Sequence, residues 1–365
     1  MSGNTTIVQS TPGFVTGTYG AKALRNAVSA WLQNRPGVAS SGDFAVSQRG
    51  AGANMSVDIA AGGAYIAPAA VTRQGMYYVQ YDSTYNTSSN GGYTWTAADA
   101  TNPRIDLVCL EVKDNAEDAS GATGLRFRIV DGTPNASATH QLATTYWPAV
   151  PTGCVPIAAI RVPATATTLT TTNITNLNPL AGPVAANNYI AAAESTSSAS
   201  LTRLTTANGT ADFCCVYVPS STSVVEIAHR SLVSMTAASG TQSFAFFAND
   251  TQLKIPVSRS APIVTSAQIT SLGTKYTQMA TTGPSGNVTA TTGIFSIGAD
   301  STTDITFETS PTLMATSGNT TTAIAPGAFT QWTGFTAGWN IVELRYSTSA
   351  STLNVKNRST IVRVL

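Results

Sequence analysis

Any chemistry in this chain would have to come from few residues. It holds two histidines, His140 and His229, and four cysteines, Cys109, Cys154, Cys214 and Cys215. The histidines share no H-x-H or H-x-x-x-H spacing, so a zinc site would have to be gathered from distant segments. No C-x-x-C pair exists. The cysteines sit in apolar stretches such as DLVCLEV and DFCCVYV, which points to reduced, buried thiols. If Cys214 and Cys215 share a strand, their side chains face opposite ways. Asp114, Glu117 and Asp118 fall together in KDNAEDASGATG but lack the Asp-x-Asp-x-Asp-Gly order and distal Glu of a calcium loop. No G-x-S-x-G elbow and no phosphate-cradling G-x-x-x-x-G-K-[ST] loop occurs. The nearest approach to a glycosidase pair is Asp300, Asp304 and Glu308. On one strand, Asp304 and Glu308 would share a face about 13 Å apart, too far for such a pair. No catalytic, metal-binding or cofactor-binding residue is expected, and the chain reads as a non-enzyme.

Aromatic side chains are the remaining candidates for binding. Tyr77, Tyr78, Tyr81, Tyr85, Tyr93 and Trp95 crowd a Ser/Asn/Gly-rich stretch, and Trp332, Phe335 and Trp339 crowd QWTGFTAGW. Such rings either fill cores at strand ends or stay exposed to stack on sugars. Trp332, Phe335, Tyr93 and Trp95 are carried forward as receptor-contact candidates.

The elements that would position these residues are mostly strands. Leu24, Ala27, Val28, Trp31 and Leu32 recur at helical spacing, which predicts one short amphipathic helix from about Leu24 to Leu32, stopped by Arg35-Pro36-Gly37. So short a helix needs a partner surface for its apolar stripe. After it, segments such as SVDIAAG, GMYYVQY, RIDLVCLEV, LRFRIVDG and CVPIAAIRV are Val-, Ile- and Tyr-rich and bounded by turn residues. The connector KDNAEDASGATG reads as a long hairpin loop. The expected fold is all-β, with two β-sandwich or jelly-roll-like domains and one short N-terminal helix. The expected division is an N-terminal segment with the helix (1–37), a β-rich domain (38–178), a Pro-, Ala- and Thr-rich linker (179–200) and a C-terminal sandwich (201–365). The final run, NVKNRSTIVRVL, would leave a sheet edge that Lys356, Arg358 and Arg363 blunt only in part, so a second subunit is expected to cover it.

Composition narrows the partners. Charged residues are 10% of 365, against roughly 25% in ordinary soluble domains. With 42% apolar residues the chain is not of disordered composition. Nineteen basic against eighteen acidic residues, with no basic run, give no footprint for nucleic acid. MSGNTTIVQS is not a secretory leader and no apolar run reaches membrane length, so cytoplasmic synthesis without membrane insertion is expected.

One run of motifs resembles a known family. The order is an N-terminal helix, GVASSGDFAVSQRGAGANMSVDIAAGGAYI, QGMYYVQY, NPRIDLVCLEVKD, IVDGTP, then WPAVPTGCVPIAAIRVPATATTLTTTNIT. Pro103-Arg104-Ile105-Asp106, the Gly132-Thr133-Pro134 turn and Pro156-Ile157-Ala158-Ala159-Ile160-Arg161-Val162 carry the likeness. Over roughly residues 15–178 this resembles a domain of tailed-bacteriophage minor tail and baseplate proteins. Where that family closes on an Ile-Thr-Asp-Leu-Arg type ending, this chain has Ile174-Thr175-Asn176-Leu177-Asn178, without either charge. The C-terminal half is similar, more loosely, to jelly-roll heads of phage receptor-binding proteins. The resemblance implies a virion component at the tail tip, a baseplate or tail-fibre subunit. Its N-terminal part would attach to other tail proteins and its C-terminal part would face outward for host adsorption. It would act as a homotrimer with a host-surface glycan as a further partner. The alternatives from the residues are a glycan-binding adhesin module and a tail-associated polysaccharide depolymerase.

Overall fold

The computed structural model describes residues 21–68, 74–88, 95–182, 186–190, 193–204, 213–223, 225–236, 241–253, 278–279, 294–298, 305–308, 314–317, 320–323, 331–332, 335–349 and 352–365. The fold is all-β, built of antiparallel sheets. It divides into two compact units, 1–184 and 185–365.

The first unit opens with α1 (Ala21–Trp31), the longest helix among the described residues. It ends where Gln33 and Asn34 turn left-handed (φ 52° and 56°) and the Asn34 amide donates back to Ser29 O at 2.7 Å, before the expected stop at Arg35-Pro36-Gly37. Strands β1 (Gly37–Val38), β2 (Val46–Gln48), β3 (Val57–Ile59), β4 (Gly62–Ile66), β5 (Tyr77–Tyr81) and β6 (Tyr85–Asn86) follow. They form two three-stranded sheets, β1-β4-β5 and β2-β3-β6. Next come β7 (Arg104–Asp114), the one-turn helix α2 (Asn115–Asp118), β8 (Thr123–Val130), β9 (Cys154–Val162) and β10 (Ile174–Asn176), with sheet order β10-β9-β7-β8. The acidic connector is therefore a helical turn in a hairpin. Asp114 caps α2 by accepting from the Ala116 amide, and Asp118 accepts from the Asp114 and Ser120 amides.

β7 is the axis of this unit, buried on both faces from Arg104 to Val112. Its neighbour β9 carries a proline, which cannot donate to a ladder. The register shifts there, between Val108 and Cys109 opposite Pro156 and Ala158, and Ile157 O instead accepts from the Leu177 amide at 2.8 Å. A bulge thus accommodates Pro156 without breaking the sheet.

The second unit begins with β11 (Ala186–Ile190) and β12 (Glu194–Thr196), then β13 (Phe213–Val218), β14 (Val225–Met235), β15 (Thr241–Ala248) and β16 (Thr251–Gln252). It continues with β17 (Gln278–Met279), β18 (Ile294–Gly298), β19 (Ile305–Glu308), β20 (Met314–Ser317), β21 (Thr320–Ala323), β22 (Gln331–Trp332), β23 (Gly338–Thr348) and β24 (Leu353–Val364). Two sheets, β11-β24-β14-β19 and β13-β23-β15-β18-β17, share a core that includes Val216, Ile227, Phe244, Phe246, Leu344, Tyr346, Val355 and Val362. Period-2 patterning accounts for this: along β24, Thr360, Val362 and Val364 are buried while Ile361 and Arg363 are exposed.

Two expectations are corrected here. Residues 186–190 and 194–196, read as linker, are strands on β24: Ala186 to Ile190 pair with Val362 to Arg358, and Glu194 to Thr196 with Val355 to Leu353. Consequently β24 is no open edge, because β11 and β12 lie on one side and β14 on the other. Low hydrophobicity does not exclude a strand here, because an edge strand needs backbone pairing more than apolar side chains.

A bulge in β24 has a chemical consequence. Asn357 is left-handed (φ 50°) and the register with β14 shifts between Arg230 and Leu232, which turns Arg358 inward. There its guanidinium, fully buried, meets Glu194 Oε2 of β12 at 2.9 Å.

No disulfide joins the four cysteines and all are buried. Burial pushes the Cys154 thiol up to about 11 and the Cys215 thiol higher still. A thiol reagent at pH 8 should therefore modify the native chain only slowly, because the thiolate is the reactive form. After denaturation four thiols per chain should titrate, and two or fewer would reveal a bridge.

Candidate functional site

The aromatic candidates divide by burial. Trp95 is 6% exposed and its indole donates to Thr87 Oγ1 at 3.4 Å, a hydroxyl that also accepts from the Val57 amide. Phe335 is 3% exposed and belongs to the second unit's core. As receptor contacts these two are corrected: both rings, in irregular segments ahead of β7 and β23, are folded inward and present no face to a ligand. Trp332 stands on β22 opposite Val225, but its side chain lies outside the described residues, as does all of Tyr93. Asp300 and Asp304 also lie outside them. Half-exposed rings occur elsewhere, at the cross-strand pairs Tyr65–Tyr78 and Tyr217–Trp339.

Two of the singled-out motifs, Pro103-Arg104-Ile105-Asp106 and Gly132-Thr133-Pro134, meet in one buried lock. Arg104 Nε donates to both carboxylate oxygens of Asp106, at 2.9 and 3.1 Å, and its other nitrogens donate to Ala97 O and Thr96 O. Positions i and i+2 of a strand share a face, so Arg-x-Asp spacing builds this pair locally. Asp106 Oδ1 also accepts from the Gly132 amide at 2.8 Å, and the Asn135 amide donates to Pro103 O at 2.8 Å. Position 132 must be glycine, since a Cβ there would stand 2.1 Å from Ile105 O. Burial pushes the Asp106 carboxyl up, while Arg104 and the Gly132 amide pull it back.

A second charged constellation escaped the sequence reading. Glu343, 1% exposed on β23, accepts from Arg203 Nε at 2.6 Å and Arg345 Nε at 2.7 Å. Asp250 pairs with both arginines, and Arg345 lies 4.0 Å over the Phe247 ring. Asp250 is presented by the Asn249-Asp250 hairpin turn, both residues left-handed. Burial alone would raise the Asp250 carboxyl, but the two arginines hold it below its ordinary range. A general acid needs the opposite shift, so this network suits a clamp. The Glu-x-Arg alternation of VELRY was its one legible sign.

The histidines stand apart. His140 Nδ1 accepts from the Leu142 amide at 3.0 Å. His229, buried on β14, has Nδ1 2.9 Å from Thr360 Oγ1; burial, and secondarily Arg358, pushes it down to about 3. No cluster of three or more His, Cys, Asp or Glu among the described residues could hold a metal ion.

The most conspicuous surface is α1. The docked side of the helix is mixed, with Arg25 and Ser29 set among apolar residues: Arg25 donates to Gln74 O and Oε1 at 3.0 and 2.6 Å, lies 4.3 Å over the Tyr77 ring and pairs with Glu117 at 3.7 Å. Ser29 is its one buried residue. The stripe is split between the two sides: Ala27 is exposed and Trp31 is 71% exposed. Leu24, Val28 and Leu32 are half-buried on the docked side, beside Arg25 and Ser29.

Two predictions follow from the buried charges. Asp106→Ala should cost about 3–5 kcal/mol in urea denaturation, because it leaves Arg104 buried without its counter-charge. His229 stays neutral in the fold while the unfolded chain takes a proton near 6.5, so its contribution is complete above that pH and is lost as pH falls towards 3. The stability gap between the wild type and His229→Gln should thus narrow by about 1.4 kcal/mol per pH unit below 6.5. A gap constant from pH 7 to 4.5 would contradict it. Compared with known proteins, the chain matches no family model and is similar to no curated sequence.

Proposed function

We propose that this chain is a structural protein of a phage tail tip, a baseplate or fibre subunit that works by assembly and host adsorption. The observation that carries the reading is Trp31 at the end of α1, turned outward and 71% exposed beside exposed Ala27. A helix that is already docked through Leu24, Arg25, Val28 and Ser29, and still turns a tryptophan to water, has a surface suited to another protein. In this reading α1 is the attachment element of the N-terminal segment. The motifs shared in kind with tail proteins lend support, because Arg104, Asp106 and Gly132 meet in one lock instead of being scattered. The second unit, a two-sheet sandwich, would be the jelly-roll-like head. Homotrimeric assembly belongs to the same reading, through surfaces poor in charge.

Electron microscopy of particles labelled by an antibody to residues 201–365 should place the label at the tail tip. Trp31→Asp should leave the melting temperature nearly unchanged while the chain no longer enters particles, and light scattering should report whether the trimer dissolves with it. Particles without the chain, or incorporation unaffected by Trp31→Asp, would overturn the reading.

A further inference from the structure

We infer that the outer face of β4 and β5 is a binding platform for a neutral saccharide, built from Tyr65, Tyr78, Gln80 and Asp82. This goes beyond the tail-tip reading and does not rest on it, since an isolated adhesin would use the same surface.

Register assembles the platform. Tyr65 pairs with Tyr78 and Gly63 with Gln80, so these four residues occupy one face, while Ala64, Ile66, Tyr77 and Val79 occupy the other and are buried. Tyr65 and Tyr78 are half-exposed, their ring centroids 5.1 Å apart and their planes inclined at 48°. Gly63 makes this arrangement possible, because a Cβ there would lie 2.7 Å from the Tyr78 hydroxyl oxygen and 3.1 Å from its ring. The ring therefore lies across the strand, which leaves aromatic surface facing outward.

Polar groups continue along the same face at a spacing of two. The Tyr78 hydroxyl donates to Gln80 Oε1 at 3.5 Å, and Gln80 Nε2 donates to exposed Asp82 Oδ1 at 2.7 Å. The chain of bonds orients the Gln80 amide and leaves its second N–H and the other Asp82 oxygen able to meet hydroxyl groups. Apolar ring faces beside a fixed amide and carboxylate match a pyranose, whose C–H face is apolar and whose rim is hydroxylated. Besides burial, Tyr65, Asp43 and Asp82 raise the Tyr78 hydroxyl above its usual range. It remains a protonated donor, and the two carboxylates would repel an anionic sugar. The ligand class is thus neutral. An open platform of this kind binds weakly, on the order of millimolar, and gains strength from repetition in an assembly.

Affinity electrophoresis of the full chain through gels containing neutral polysaccharides (dextran, mannan, a mixed-linkage glucan) and one acidic polysaccharide (alginate) tests this. Retardation is expected with at least one neutral polymer and not with alginate. Tyr78→Ala and Gln80→Ala should each weaken it about tenfold or more, with Gln80→Ala guarding against loss by misfolding because its side chain supports no core. Tyr78→Phe should retain most of it. Retardation only by alginate, none by any neutral polymer, or retardation unchanged in both Tyr78→Ala and Gln80→Ala would overturn the proposal.

Discussion

The first unit depends on one buried ion pair. β7 is covered on both faces, a setting that normally demands a continuous apolar run, yet it carries Arg104 and Asp106 where exposure is nearly nil. An isolated charge there would cost several kcal/mol, so the pair must form and its remaining lone pairs and protons must be used. They are used by Thr96 O, Ala97 O and the Gly132 amide, which ties the segment before β7 and the turn after β8 to the central strand. The lock therefore specifies connections that apolar packing alone would leave loose.

The same economy governs the second unit. Its inward charges also occur in pairs, Arg358 with Glu194 and Glu343 with two arginines, in a chain with few charges to spare. Two of these pairs join segments far apart in sequence: Glu194 lies in β12 at the start of the unit and Arg358 in its last strand, and Arg203 precedes β13 while Glu343 lies on β23. The bulge at Asn357 is what brings Arg358 to that position. Ordinary alternation would have sent it outward, to solvent.

Burial and exposure then bear on function in opposite directions. Trp95 and Phe335 are consumed by cores, whereas Trp31 and the Tyr65–Tyr78 pair remain at the surface. The proposed attachment face on α1 and the proposed saccharide platform on β4–β5 both belong to the first unit. An assembly that repeats the chain would repeat both, and weak individual contacts become effective together when they are presented in register.

The all-β class, the single amphipathic helix, the buried thiols and the Pro-Arg-Ile-Asp strand were legible in the sequence alone, because each is written in local spacing. Periods of 2 and 3.6 reveal which residues share a face, and turn residues mark where an element stops. Spacing does not reveal which face meets the core. The α1 stripe reads as one surface, and only the Arg25–Gln74 docking divides it, with Leu24, Val28 and Leu32 on the docked side and Trp31 outward. Nor does composition show that a Thr- and Ala-rich run will be held by backbone pairing, as β11 and β12 are by β24. Tyr78 was visible as one of many tyrosines, but its partner Tyr65 and the gap at Gly63 came from strand register, a property of two segments at once. Tertiary structure decided these matters because each depends on a contact between residues that the chain keeps apart.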